Sequence, residues 1–129
     1  MKYVNRTEEQ ARISKIVSVQ WLQVMDKIDA LKISKRYLNR VMKSDIDFTE
    51  AWLFGSYAKG NQHENSNIDI AIVLKDNVAH TFETEVKLMV IRKSGDETYI
   101  EPHAFTKDEF DRNVPIVDQI TRYGERISL

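Results

Sequence analysis

Apolar positions along this chain change their period from region to region, and each change marks an element. Ile13, Val17, Trp21, Val24, Ile28 and Leu31 recur at three- and four-residue steps, the signature of one helix face. Thr7 and Gln10 ahead of them have the form of a capping box, so a helix is predicted from Thr7 to about Ala30 with Trp21 in the core. A second helical stretch, Lys32 to about Lys43, turns Tyr37, Leu38, Val41 and Met42 inward and its cations outward. The pattern leaves open whether these are two helices or one bent helix.

At Thr49 the spacing shortens. "TEAWLFG" is rich in aromatics and ends in glycine, as a largely buried strand does. Ser56 to about Gly60 suits a single helical turn, and "NQHENSN" is a loop of turn-forming residues. "IDIAIVL" reads as a second strand, with Asp69, Ala71 and Val73 on one face and Ile68, Ile70, Ile72 and Leu74 on the other. Phe82, Val86, Met89 and Val90 then return to helical spacing, predicting a helix over 80–92 packed on the sheet through those residues, and "KSGDE" breaks it. "TYIEPHAF" is a third strand with Tyr99, Glu101, His103 and Phe105 on one face. Its Pro102 cannot donate to a ladder, which points to an edge. Phe110, Val114, Val117, Ile120 and Tyr123 resume the helical period, and Pro115 divides them into one short and one longer helix. These elements predict an α+β fold, a two-layer arrangement in which a small mixed sheet of about three to four strands is backed by helices. Its 129 residues suit a single domain, with residues 5–43 a helical N-terminal part and 49–129 the core.

Composition narrows the setting. A hydrophobic fraction of 42% and a charged fraction of 30% are those of a soluble globular protein. The absence of cysteine excludes a disulfide framework, a thiolate nucleophile and Cys-ligated zinc. No signal-like core opens the chain and no apolar run approaches the roughly 20 residues of a membrane span, so a cytoplasmic protein without membrane contact is expected. The net charge of −1 conceals an asymmetry: residues 1–43 hold ten Lys/Arg against four Asp/Glu, and the remainder nine against sixteen. Lys32, Lys35, Arg36 and Arg40, with little acid nearby in sequence, read as a solvated helix face or as a surface for RNA or an acidic protein. No aromatic or glycine interleaving accompanies them, so a nucleic-acid partner is not favoured.

The chemistry concentrates in "LFGSYAKGNQHENSNIDIAIVL". Gly55 and Ser56 lie at a strand-to-helix turn, where glycine lets backbone amides approach an anion and the Ser56 hydroxyl adds a donor. Lys59 or Lys75 are candidates to reach outer phosphate oxygens. Residues 67 and 69 face the same way in a strand, and Glu101 on a neighbouring strand is the candidate third oxygen donor, ahead of Glu83, Glu85 and Asp76. Such a set suits Mg²⁺, which takes few protein carboxylates together with phosphate and water. His103 shares the face of Glu101 and is a candidate to touch a phosphate or the acceptor, although a lone histidine is more often structural, and His63 and His80 have no partner at metal-ligand spacing.

In Gly55-Ser56, ten residues, then Asn67-Ile68-Asp69, with "AWLF" before and "IAIVL" after, the chain resembles the minimal nucleotidyltransferases of the DNA polymerase β-like superfamily. The resemblance covers most of residues 31–129. It implies transfer of a nucleoside monophosphate, commonly AMP from ATP, to an acceptor hydroxyl with one Mg²⁺ ion or a pair. Carried over by position, Gly55 and Ser56 hold the triphosphate, Asp69 binds metal, and Glu101 is the third carboxylate. Small members commonly pair with a helical HEPN partner, in some cases as an antitoxin, and a homodimer is the other arrangement expected. The family pattern has Asp where this chain has Asn67. A neutral amide cannot bridge two cations as a carboxylate can, so the set Asn67, Asp69 and Glu101 carries one negative charge fewer. The alternative reading is therefore a catalytically impaired protein that binds nucleotide or a HEPN-type partner.

Overall fold

The computed structural model describes residues 27–129. The capping box at Thr7 and the core placement of Trp21 lie outside the described residues. Residues 27–42 form one continuous helix, α1, so no break separates Ala30 from Lys32. Strand β1 (Phe48–Phe54) follows, then the single turn α2 (Ser56–Lys59), β2 (Ile68–Leu74), α3 (Phe82–Val90), a 3₁₀ turn (Asp96–Tyr99), β3 (Ile100–Phe105), α4 (Lys107–Asp111), α5 (Pro115–Tyr123) and the short β4 (Glu125–Arg126).

The four strands make one mixed sheet in the order β3-β2-β1-β4. β1 is antiparallel to β2 and to β4, whereas β2 and β3 run parallel. A parallel pair needs a crossover, and α3 supplies it. β3 lies at an edge, which accommodates Pro102, and β4 is a short pairing that the tail's helical period did not reveal.

Alternation along the strands divides the core. Leu53, Ile68, Ile70, Ile72 and Leu74 pack with Tyr37, Leu38 and Val41 of α1 and Leu88 of α3. On the other face Ala71 and Phe105 pack with Val117 and Ile120 of α5, bordered by Trp52, Phe54 and Phe110. The mixed sheet and the α+β class are as the sequence predicts, and helices cover both of its faces. Thr106 closes the capping box that starts α4, and Pro115 occupies the first turn of α5, where its missing N–H costs nothing.

Three expectations about inward faces are corrected. Met42 and Ile28 are about half exposed, because α1 packs through Tyr37, Leu38 and Val41. On α3 the apolar set Phe82, Val86, Met89 and Val90 faces outward, with Phe82 85% exposed, and the helix packs instead through Thr84 and Leu88. Thr84 can be buried because its hydroxyl donates to the Ala79 carbonyl at 2.7 Å, which satisfies the group that would otherwise oppose burial. The cationic stripe on α1 is half tied down, with Lys32 and Lys35 exposed: Arg36 makes a two-pronged contact with Asp96 at 2.7 Å and reaches Glu97 at 3.4 Å. Arg40 pairs with the same Glu97, which is 1% exposed. This cluster fastens the 3₁₀ turn, and so the entry to β3, onto α1. Tyr37 adds a second tie by donating to the Leu88 carbonyl at 2.7 Å, and burial pushes its phenol pKa far up.

Candidate functional site

The parallel register of β2 and β3 sets Asp69 directly beside Glu101 and Ala71 beside His103. Because side chains alternate across a sheet, Asp69, Glu101 and His103 share one face near the start of β2. His103 Nε2 lies 3.2 Å from Asp69 Oδ1 and 3.9 Å from Glu101 Oε1. Asn67, immediately before β2, donates its Nδ2 to Glu101 Oε2 at 2.9 Å. All four side chains remain accessible from outside, and Asp69 is the most enclosed of the three titratable groups, with 24% of its side chain exposed.

Gly55 shapes the other wall. It stands opposite the start of β2, where Phe54 pairs with Asp69, and its backbone has φ 73° and ψ −151°, a region that only glycine occupies comfortably. A methyl group on its Cα would collide with the Asp69 carboxylate. The glycine thus does two things: it allows the sharp strand-to-helix turn and leaves space beside Asp69.

The imidazole of His103 is held in place from two sides. The hydrogen bond that the ring donates to Asp69 raises its pKa above the ordinary histidine value; burial works against that, and the charges of Asp69, Glu101 and Glu85 add to it. The ring of Phe54 meets it edge-on, with centroids 5.1 Å apart and planes at 65°.

The structure therefore brings Asn67, Asp69 and Glu101 together, with Gly55 and Ser56 at the adjoining turn. Ser56 is the first residue of α2. Lys59 is drawn elsewhere: its ammonium stands over the Tyr123 ring, 5.5 Å from the centroid, and no ion pair joins it to the carboxylates among the described residues. Lys75 follows the last residue of β2 and so lies at the opposite end of that strand, about 20 Å of extended chain from Asp69. Glu83 and Asp76 are not part of the cluster. Glu85 instead pairs with His80 at 2.6 Å. His103 is the residue that sequence reasoning set aside as structural. Its signal was the two-residue step from Glu101, and the missing information was which strand lies alongside.

As a donor set, two carboxylates and an imidazole whose ligand atoms lie within 4.8 Å of one another fit a divalent cation. Beside them is an open turn built on glycine.

The model of the family described as "Polymerase beta, Nucleotidyltransferase" matches residues 36–127, an interval that contains every one of these side chains. A curated protein of Methanocaldococcus jannaschii, named "Putative protein adenylyltransferase", is 26% identical over 106 residues, spanning 80% of this chain and 100% of its own. Among solved structures, a "putative nucleotidyltransferase from Sulfolobus solfataricus" superposes with a TM-score of 0.56 at 24% identity, over 70% of this chain and 78% of the other. A mutant of the MntA-HpeT toxin-antitoxin gives 0.54 at 20% identity, over 73% and 71%. A toxin-antitoxin with AMP-PNP gives 0.53 at 21%, over 70% and 68%. These structures share the fold. With the family model spanning β1 to β4 and the carboxylates paired across β2 and β3, the chain belongs to the polymerase β nucleotidyltransferases.

Proposed function

We propose that this protein transfers a nucleoside monophosphate, AMP from ATP, to an acceptor hydroxyl, using a divalent cation held by Asp69 and Glu101. The observation that carries the reading is the pairing of those two carboxylates on adjacent parallel strands, beside a turn where Gly55 makes room for the Asp69 carboxylate. The acceptor oxygen attacks the α-phosphorus, the bond to the oxygen bridging the α- and β-phosphates breaks, and pyrophosphate departs. Glu101 takes the proton of the acceptor hydroxyl or orients it. Asn67 holds Glu101 by its 2.9 Å hydrogen bond, and Gly55 and Ser56 receive the triphosphate at the turn. The cation, Mg²⁺ on the family resemblance, neutralises charge on the phosphates when bound. The adenylyltransferase name of the Methanocaldococcus relative and the AMP-PNP in one structural neighbour support an adenine nucleotide as donor. The toxin-antitoxin neighbours support a protein partner, of the HEPN type on the family resemblance, as the bearer of the acceptor hydroxyl. The reading places the protein in the cytoplasm, where ATP is supplied; no helix among the described residues is long and apolar enough to cross a membrane.

One observation favours a second reading, a weakened enzyme that binds nucleotide or partner: Asn67 directs its amide donor at Glu101, where a carboxylate would contribute charge. Calorimetric titration of ATP with and without Mg²⁺ tests the shared premise. Binding that requires the cation supports a metal-nucleotide site, and no binding under either condition overturns it. Turnover by wild-type protein that Asn67→Asp does not improve removes the weakened reading.

A further inference from the structure

The oxygen-only site that the family pattern implies is not the donor set this chain presents. At the first ligand position stands Asn67, whose Nδ2 is committed to Glu101 Oε2 at 2.9 Å. To offer its single good oxygen to a cation, the amide would have to turn over and give up that bond. The third donor atom beside the carboxylates is a nitrogen, and its hydrogen bond to Asp69 Oδ1 is one that a shared cation replaces, since without the bridging proton both atoms are ligands. His103 Nε2 stands 3.2 Å from Asp69 Oδ1 and 3.9 Å from Glu101 Oε1. Ligands at about 2.1 Å from an octahedral ion are separated by about 3.0 Å when adjacent and about 4.2 Å when opposite, so both separations fall within what one ion spans. His103 is also pre-positioned, since its strand fixes the backbone opposite Ala71 and the Phe54 ring packs edge-on against the imidazole.

We propose that Asp69, Glu101 and His103 form a mixed oxygen–nitrogen site that selects a first-row divalent transition ion such as Mn²⁺ over Mg²⁺, with Asn67 positioning Glu101 instead of ligating. This rests on the reading of Asp69 and Glu101 as metal carboxylates and specifies which ion they serve. The physical ground is ligand preference. Mg²⁺ is a hard ion that favours oxygen and keeps its water, whereas first-row transition ions gain affinity from an imidazole. The exchange of Asn for Asp removes a negative charge, which weakens attraction for every cation alike. The nitrogen restores affinity only for ions that accept it, so the two departures together produce selectivity.

The test uses the purified full chain and Mn²⁺ alone. Loss of the free-ion electron paramagnetic resonance signal measures binding, and Mg²⁺ competition measures selectivity. Pulsed spectra of the bound ion report a coordinated ¹⁴N directly. The expected result is one bound Mn²⁺ per chain, at least about tenfold weaker displacement by Mg²⁺, and an imidazole ¹⁴N coupling. His103→Ala should abolish the coupling and cut Mn²⁺ affinity about tenfold or more, with little change for Mg²⁺. His63 and His80 are retained in that variant and serve as the control for stray imidazole. A wild-type spectrum without ¹⁴N coupling, equal competition by Mg²⁺, or no bound Mn²⁺ would each overturn the proposal, and the wild-type spectrum decides it even where the variant folds poorly. Should Mg²⁺-dependent ATP binding be found without the nitrogen signature, this inference fails while the proposed function stands.

Discussion

Two glycines of this chain offer a matched pair of perturbations. Gly55 and Gly60 flank the same four-residue helix and have similar φ angles, 73° and 76°. A methyl group added at Gly60 meets nothing within 4 Å, whereas at Gly55 it collides with the Asp69 carboxylate. Gly60→Ala should therefore cost only the left-handed backbone penalty, about 1–2 kcal/mol. Gly55 has ψ −151°, in a region close to glycine-only, so Gly55→Ala carries about 1–3 kcal/mol of backbone strain before any collision is counted. Moving Asp69 aside then weakens its hydrogen bond to His103, a partly exposed interaction of about 1 kcal/mol, for a total near 2–4 kcal/mol. For 129 residues the unfolding entropy is about 0.27 kcal/mol/K, so the melting temperature should fall by roughly 7–15 °C for Gly55→Ala and 4–7 °C for Gly60→Ala. Calorimetric melts give those numbers, and Mn²⁺ titration provides the second readout. Gly55→Ala should lose at least about tenfold in metal affinity because Asp69 can no longer point at the cluster, while Gly60→Ala binds as wild type. Equal destabilisation by the two variants, or undiminished metal binding by Gly55→Ala, would refute the claim that the glycine exists to make room for Asp69.

Replacing Glu97 by Gln leaves Arg40 facing a neutral amide in a buried setting and should destabilise by about 3–5 kcal/mol, a fall of roughly 11–18 °C read by the same melts; a change under about 1 kcal/mol would show that the cluster does not hold the turn. Asn67→Asp should raise Mg²⁺ affinity about tenfold through the added charge, and should lower the metal-free melting temperature because two carboxylates then face each other where a 2.9 Å hydrogen bond stood. If stability is unchanged without metal, the Asn67 contact with Glu101 is incidental. The His80 site should make stability depend on pH. Burial of the ring favours the neutral form, but the hydrogen bonds it donates to Glu85 at 2.6 Å and Glu109 at 3.4 Å outweigh that and raise the folded pKa. A raised folded value means the stabilisation is complete below the unfolded pKa of about 6.5 and disappears as pH climbs through the folded value. Denaturant titrations of wild type and His80→Gln from acid to alkaline pH should therefore diverge on the acid side, by on the order of 1 kcal/mol or less; parallel curves would exclude the effect.

How much of this architecture the sequence disclosed depends on whether neighbours along the chain or across space decide the matter. β2 was legible to the residue, since its apolar run is bounded by Asn67 and Lys75 and alternates throughout. α3 was located but turned the wrong way. Its apolar residues form a face of their own, and the buried face relies on Thr84, whose hydroxyl is satisfied locally by the Ala79 carbonyl, so polarity gave no sign of burial. The basic stripe on α1 misled for the same kind of reason: Arg36 and Arg40 lack acidic neighbours in sequence, and their partners Asp96 and Glu97 arrive from some sixty residues away.

The site shows the same division more sharply, and the division explains why His103 was passed over. Gly55, Ser56, Asn67 and Asp69 are bound together by a short spacing, so their chemistry can be read from a single window of sequence. Glu101 enters from a strand that could have paired with either neighbour in either direction. With β3 antiparallel to β2 and Glu101 still opposite Asp69, His103 would stand opposite Asn67, ahead of the first residue of β2, and not opposite Ala71. Only the parallel register, made possible by the α3 crossover, sets Glu101 against Asp69 and leaves His103 one pair further along on the same face. A carboxylate two residues before a histidine on an edge strand carries little meaning alone. Beside a strand preceded by an asparagine in a carboxylate's place, the pair gains meaning: Glu101 stands against Asp69, and on the proposal above His103 supplies a nitrogen where the short motif falls one ligand short.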